Sequence, residues 1–185
     1  MILDRLEHLF LNAAAYYVFE PRFRSGKWWV ADRARPRLER ALALRAAAYD
    51  DARAFFHEEL HFCKGCDAPC CWGKFDRFTV YDHIAHLTAG VTDPPPWRYT
   101  LHPVHSYAVN RDDEGLCLYL APGEGCRLDY SLRPAMCVWG TCSAMLPKLG
   151  LDQRRRLHRI RRQIDRAHLR FAVTLLFGGM RKVHT

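Results

Sequence analysis

The chain has 185 residues, of which 49% are apolar, and it carries a formal net charge of +8 at pH 7. A chain of this length can bury a hydrophobic core of its own, and its apolar runs are far shorter than the roughly 20 residues that cross a bilayer. Charged residues lie between Met1 and His8, where a secretory signal needs an apolar stretch. We therefore expect a single cytoplasmic domain over residues 1–185, without a membrane segment.

The N-terminal part of the chain, residues 1–60, is predicted to be helical. Apolar residues at helical spacing predict a first helix over residues 2–19, and they are Leu3, Leu6, Phe10 and Ala13/Ala14. Trp28, Trp29 and Val30 then form a short apolar knot, which we expect to pack against a neighbouring helix.

A second helix should begin near Arg35-Pro36, because proline suits the first turn of a helix, and should run to about Leu60. Its apolar side is predicted to contain Leu38, Leu42, Ala46, Tyr49, Ala52 and Phe56. A shorter helix should cover Val80 to Ala89, with Thr79 as its cap and Asp82 three residues further on.

The C-terminal part, residues 151–177, is predicted to be a basic amphipathic helix that ends at Gly178-Gly179. Residues 97–120 have the pattern of irregular or short-stranded chain, and residues 117–142 that of a loop. The predicted fold class is therefore mainly α, with long helices flanking an irregular, cysteine-rich, metal-binding middle at residues 63–142. The core-facing stripe of the last helix is predicted to be Leu157, Ile160, Ile164, Ala167 and Phe171.

The middle of the chain contains all eight cysteines, in two groups. Structural disulfides are rare in a reducing cytosol, where tight cysteine clusters more often bind metal or carry out redox chemistry. The short loop between Cys63 and Cys66 lets two sulfurs reach one metal, whereas the side chains of the adjacent Cys70 and Cys71 will tend to point apart. The second group is spaced too widely for one chelating loop, so the fold must bring its members together. The candidate metal ligands are Cys63, Cys66, Cys70, Cys71, Cys117, Cys126, Cys137 and Cys142.

The sulfur ligands suit either zinc or an iron–sulfur cluster. Two four-cysteine zinc sites would use all eight thiols, whereas one four-iron cluster would use four of them. The remaining thiols would then serve in redox chemistry or packing, since free cysteine is also a small buried hydrophobe. The spacing alone leaves these arrangements open.

The order of the cysteines resembles the YkgJ-type CxxCxxCC cysteine-cluster family of zinc- or iron-chelating proteins, which includes flagellin lysine-N-methylases. The resemblance covers about residues 63–142 and includes Cys63-x-x-Cys66, Cys70-Cys71, Cys117-Leu-Tyr-Leu, Cys126, Arg133-Pro134-x-x-Cys137 and Cys142. The sequence departs from the family pattern by one additional residue before Cys70 and by one inserted between Cys126 and Arg133. The resemblance implies an iron–sulfur cluster of the kind held by the methylase members.

Arg133 is the candidate cofactor-binding residue. Pro134 fixes the backbone that enters the turn before Cys137. The Arg133 guanidinium can donate hydrogen bonds to backbone carbonyls or to cluster thiolates, whose negative charge it would offset.

Three pairs of histidines have spacings that zinc sites use. His57-Glu58-Glu59-Leu60-His61 spells the H-E-x-x-H motif of zinc proteases, but no third ligand follows at a recognised spacing. A helix end exposed to solvent, or one histidine near the metal, is the interpretation that we favour. We interpret the two remaining pairs, His83/His86 and His102/His105, as non-ligands.

The functional prediction is a metal-binding cysteine-cluster protein with an iron–sulfur cluster, [4Fe–4S] rather than another type, in an electron-transfer, maturation or methyl-transfer-accessory role. The alternative is a zinc-stabilised protein-interaction module without catalysis. An enzyme in which the cluster positions S-adenosylmethionine is a third hypothesis, against which the lack of a glycine-rich cofactor loop counts.

The basic C-terminal helix has two interpretations, a core-packed helix whose basic face is only solvated, and a helix whose basic face contacts a protein partner with an acidic surface, which is the partner that we predict. Eight arginines fall between Arg154 and Arg170, and such a surplus of positive charge attracts anionic partners. Nucleic acid is the other anionic partner considered, but no known nucleic-acid motif supports it. A contact of either kind should weaken as salt rises.

Overall fold

A computed structural model describes residues 2–19, 28–59, 77–91, 99–100, 107–109, 119–121, 125–139 and 145–182. The prediction of a mainly α fold is confirmed. The described helices are α1 (Ile2–Ala14), α2 (Arg35–Arg53), α3 (Val80–Thr88), α4 (Ala135–Trp139) and α5 (Leu151–Thr174). Three of them continue as π-helical turns, α1 over Ala15–Phe19, α2 over Ala54–Glu59 and α5 over Leu175–Gly179.

Short antiparallel strands supplement the helices. They are β1 (Trp28–Val30), β2 (Arg77–Thr79), β3 (Tyr99–Thr100), β4 (Tyr107–Val109), β5 (Leu120–Ala121), β6 (Gly125–Cys126) and β7 (Met180–Lys182). Strand β1 pairs with β7, β4 lies between β2 and β3, and β5 pairs with β6. The apolar knot predicted at residues 28–30 is therefore a strand, and its hydrogen-bonding partner comes from the far end of the chain.

Helices α2 and α5 form the frame of the molecule, since their contact is the most extensive between any two described elements. An ion pair at the edge of this contact joins Arg156 of α5 to Asp51 of α2. Arg156 Nη2 and Nε lie 2.6 Å and 2.9 Å from the same Asp51 carboxylate oxygen. The predicted stripe of α5 faces inward, and Ile160, Ile164 and Phe171 are fully buried. Full burial of such a side chain stabilises the fold by about 1.5–3 kcal/mol.

The buried apolar residues of the described ranges form two clusters. One joins α1, the first half of α2, α3 and the end of α5, around Phe19, Leu38 and Ile84. The other joins the second half of α2, α4 and the first half of α5, around Phe55 and Val138.

The apolar side of α2 differs from the prediction at one turn. Ala46 is exposed, while its neighbour Arg45 is 97% buried between Ala41 of the first cluster and Ala48 of the second. A methyl group loses little when it faces water, whereas the arginine occupies the interior because it has a charged partner there.

Helix α1 also presents an unexpected face. Its buried residues are Leu11, Ala14 and Ala15, and among the residues of the predicted pattern Leu6 is 56% exposed and Phe10 is 36% exposed. The periodicity therefore predicted the helix, and Ala14 of the predicted pattern lies on its core side, whereas Leu6 does not. Within the described ranges, none of the helices combines the length and the apolar composition needed to span a bilayer.

Candidate metal centre

Two of the eight predicted ligands lie in the described part of the chain, and both are thiols. Cys126 ends strand β6 and is half-buried, and Cys137 lies in the middle of α4 and is exposed. The other six, Cys63, Cys66, Cys70, Cys71, Cys117 and Cys142, lie outside the described residues. Among the described residues, no three histidine, cysteine or acidic side chains come together as a metal site.

The segment between these two cysteines has a defined local structure instead of the predicted loop. Arg127 N donates to the Tyr119 carbonyl at 2.8 Å, which extends the β5–β6 hairpin by one hydrogen bond. Asp129 then caps a 3₁₀ turn over Tyr130–Leu132 by accepting from Ser131 N at 2.8 Å. The hydrogen bonds from the Ser131 side chain and backbone hold the pKa of Asp129 below its usual value.

Pro134 provides the transition from this turn into α4. Its carbonyl accepts from Cys137 N at 2.8 Å, which closes the first turn of the helix. Pro134 is buried, and its ring limits the backbone torsion that precedes the cysteine. This is the backbone role predicted for the Arg-Pro-x-x-Cys element.

A buried ion pair anchors this segment to the helical frame. Arg45 Nη2 of α2 lies 2.8 Å from Asp82 Oδ1 of α3, and the two side chains are 4% and 0% exposed. The same Asp82 oxygen accepts from Ala135 N at 3.0 Å, at the start of α4. One carboxylate therefore joins α2, α3 and the cysteine-bearing α4.

The other oxygen of Asp82 completes the cap of α3. Asp82 Oδ2 accepts from Thr79 N at 2.8 Å and Thr79 Oγ1 accepts from Asp82 N at 3.3 Å, and these two hydrogen bonds form the predicted capping box. Burial alone would raise the pKa of Asp82, but Arg45, His168 and the Thr79 hydrogen bond together hold it below its usual value. The carboxylate is therefore charged at neutral pH.

Helix α2 also holds the carbonyls of the Arg-Pro turn. Arg45 Nη1 donates to the Ser131 carbonyl at 3.3 Å, and the Tyr49 hydroxyl donates to the Arg133 carbonyl at 2.9 Å. Burial raises the pKa of Tyr49, the Arg45 guanidinium 4.1 Å above its ring lowers it, and the charges of Asp82 and Cys137 raise it further. The Cys137 thiol thus lies within electrostatic range of this buried polar group.

Arg133 uses its side chain locally. Its Nε donates to the Leu128 carbonyl at 3.3 Å, which is one of the two kinds of acceptor suggested by the sequence. Its guanidinium lies 4.7 Å from the centre of the Tyr130 ring. These contacts stiffen the turn between Cys126 and Cys137, and binding of Arg133 to a cofactor stays a prediction.

Two buried histidines flank Asp82, and sequence reasoning missed their position. His86 and His168 are 3% and 6% exposed, and the Nε2 atom of each has no hydrogen-bond partner in the part of the chain that the structure describes. The His168 ring stacks on Tyr81 with centroids 5.0 Å apart. Burial lowers the pKa of His168 to about 4 and also lowers that of His86. Only the pairing of His83 with His86 was visible in the sequence, and nothing there distinguished His168 from its arginine-rich surroundings.

These observations define a mainly helical protein in which a buried ion pair anchors a short cysteine-bearing helix. No protein-family model matches this chain, and neither a curated protein nor a solved structure shows significant similarity to it.

Proposed function

We propose that this protein binds an iron–sulfur cluster through the cysteines of its middle region and acts in electron transfer. The observation that carries the proposal is the anchored backbone between Cys126 and Cys137, which α2 and α3 fix through Arg45, Tyr49 and Asp82. A ligand already held in place loses less conformational freedom when it binds a metal, and a short helix fixed by buried hydrogen bonds supplies this order.

The chemistry of the donors supports the same centre. Cys126 and Cys137 offer soft sulfur ligands, and the chelating pair Cys63/Cys66 offers two more in the sequence. Bound thiolates add negative charge, which the positive overall charge of the chain tolerates. The cluster would supply one-electron chemistry when bound, and the resemblance to the cysteine-cluster family agrees with this choice.

Electron transfer is the role that the exposure of Cys137 favours among electron transfer, maturation and methyl-transfer support. A centre held at an exposed thiol lies close to the surface, where a redox partner can approach it. A cytoplasmic location fits these reduced thiols, because the cytosol keeps cysteine out of structural disulfides.

Purification without oxygen tests the proposal. We expect a brown protein with broad visible absorption, about four irons per chain and matching acid-labile sulfide, as a [4Fe–4S] cluster requires. Cys126→Ser and Cys137→Ser should each lower the iron content, whereas Val173→Ser, at an exposed position of α5, should leave it unchanged.

Two other results would decide against the cluster. A colourless protein with stoichiometric zinc that unfolds on addition of a chelator would identify the zinc-stabilised interaction module instead. A protein that is folded without any metal, with its cysteines in disulfides, would exclude both metal hypotheses.

A further inference from the structure

The solvent-facing side of α5 carries a line of arginines, which we call the arginine stripe. Its members are all exposed and follow one another at intervals of three or four residues, so they share one face of the helix. At a rise of 1.5 Å per residue the stripe is roughly 22 Å long. It consists of Arg155, Arg159, Arg162, Arg166 and Arg170.

Packing of the core does not require the charges of this stripe, although Arg155 pairs with Asp152 at its N-terminal end. Helix α5 contains eight arginines but only Asp152 and Asp165 as acidic residues, and like charges three or four residues apart destabilise a helix. The opposite side of α5 supplies the packing, through Ile160, Ile164 and Phe171. Glutamates among the arginines would give a more stable helix, so the charge pattern indicates that the stripe binds another molecule.

The line continues beyond the arginines with two exposed apolar residues. Val173 and Phe177 follow Arg170 at the same sequence intervals, and their side chains are 42% and 82% exposed. Phe177 is the most exposed of the large apolar side chains in the described residues. The surface is therefore basic along most of its length and apolar at its C-terminal end.

A cavity of about 220 Å³ opens beside the stripe, between α1 and α5. Arg162 and Arg166 line it from the stripe, and Glu7 of α1 and Asp165 of α5 place carboxylates in it. Glu7 Oε1 is buried and accepts no hydrogen bond from the described residues. The lining of the cavity thus brings two arginines of the stripe beside two carboxylates.

We propose that the arginine stripe, this cavity and the apolar end at Val173 and Phe177 form the docking surface for an acidic helix of a partner protein. Carboxylates repeating along the partner helix would meet the stripe, and an apolar side chain would cover Phe177. An ammonium group of the partner would lie at the mouth of the cavity, where the carboxylates of Glu7 and Asp165 attract it. The proposal rests on this surface alone and is independent of the metal.

The surface fits a protein better than the other anionic partners. A membrane-binding helix buries an apolar face in lipid, but the apolar face of α5 is used in the core. A duplex nucleic acid presents phosphates along its length and no apolar side chain to cover Val173 and Phe177.

Binding of a synthetic helical peptide to the full chain tests the docking surface. The peptide carries glutamates along one face, a lysine near its centre and leucines at one end, and a peptide of the same composition in scrambled order is the comparison. We expect Arg159→Glu with Arg166→Glu to weaken the binding of the ordered peptide by about tenfold or more, because two favourable charge contacts become repulsive. Phe177→Ser should weaken it less, and added salt should weaken it further.

The matched control is Arg37→Glu with Arg40→Glu, which reverses the same charge at exposed positions of α2. It should change the affinity by less than about twofold, since distant exposed charges are screened. Arg159→Gln with Arg166→Gln repeats the test with a smaller change of charge. Circular dichroism reports whether each variant is helical. The proposal would be overturned if the control lost as much affinity, if the scrambled peptide bound equally well, or if the ordered peptide did not bind. Tighter binding of duplex DNA or of phosphatidylglycerol vesicles would also overturn it.

Discussion

The Asp82 carboxylate accepts hydrogen bonds from three separate segments of the chain, through Arg45, Thr79 and Ala135. Each donor belongs to a different element, so the position of the cysteine-bearing helix α4 depends on a charge at the centre of the molecule. Breaking a buried ion pair costs far more than breaking an exposed one, because the remaining charge stays buried without compensation.

Asp82→Asn is therefore expected to lower the free energy of unfolding by about 3–5 kcal/mol. The neutral side chain leaves the Arg45 guanidinium uncompensated and presents an amide group to the Thr79 donors. Urea unfolding measures the change. Asp152→Asn is the matched control, because Asp152 is 94% exposed in its pair with Arg155 and its loss should have no measurable effect. Similar stabilities of the two variants would contradict the role given to the buried pair.

Acid is expected to destabilise the fold through His168. Its pKa is lowered from 6.5 to about 4 in the folded chain by burial, so the unfolded chain takes up a proton between these pH values and the folded chain does not. The free energy of unfolding should fall as pH drops from 6.5 to 4, by about 3 kcal/mol from this group, and this contribution should not grow below pH 4.

His168→Gln removes the group and should make the fall of stability between these pH values less steep, while His83 and His86, whose pKa values burial also lowers, keep part of it. Urea unfolding at several pH values measures the slope. His158→Gln, at an exposed position of the same helix, should keep the slope of the original protein. An unchanged slope in His168→Gln would show that other groups carry the acid sensitivity.

Local sequence patterns predicted the role of some of these residues and gave no indication of the role of others. Thr79 and Asp82 have the spacing of a capping box, which needs only neighbouring residues, and the structure has that box. Arg45 lies in an alanine-rich helix where an arginine usually faces water, and its partner Asp82 is 37 residues away in sequence. No local pattern contains such a contact.

At the scale of elements, helix bounds follow from local sequence and pairings do not. Periodicity, Pro36 and Gly178 predicted α1, α2 and α5 closely, because capping and amphipathicity act within a few turns. The pairing of β1 with β7 joins Trp28 to Lys182, and a three-residue strand carries no signal of its distant partner.

Gly178 provides a test of how helix α5 ends. Its φ of +147° ends the helical run of α5, its carbonyl accepts from Arg33 Nε at 2.8 Å, and a Cβ there would lie 3.2 Å from Arg33 Nη2. Gly178→Ala should lower the unfolding free energy by about 2–3 kcal/mol, since such a torsion is strained for any residue with a Cβ.

Gly90→Ala provides the comparison, because Gly90 has a φ of +76° but open space around its Cβ position. The left-handed conformation costs alanine about 1 kcal/mol, so this variant should be the milder of the two in urea unfolding. Equal losses would mean that the approach of Arg33 adds nothing at Gly178.

At the scale of the whole molecule, the helical frame was predictable and the arrangement of the cysteines was not. Apolar periodicity identifies the buried sides of α2 and α5 with few exceptions, because burial dominates the energy of a long helix. The spacing of the cysteines over residues 117–142 gives only their order along the chain. Their positions in space depend on contacts between distant residues, such as the hydrogen bond from Arg45 to the Ser131 carbonyl, 86 positions away in sequence. The candidate ligands could therefore be named from the sequence, but the positions of Cys126 and Cys137 in the fold could not.

The antiparallel pairing of Trp28–Val30 with Met180–Lys182 has a consequence for proteolysis near the C-terminus. Cleavage by a protease before Met180 would remove one strand and leave the backbone amides and carbonyls of its partner open to water. An open edge of this kind is a template for pairing with another chain, and the three-residue length of β1 limits such pairing to a few hydrogen bonds.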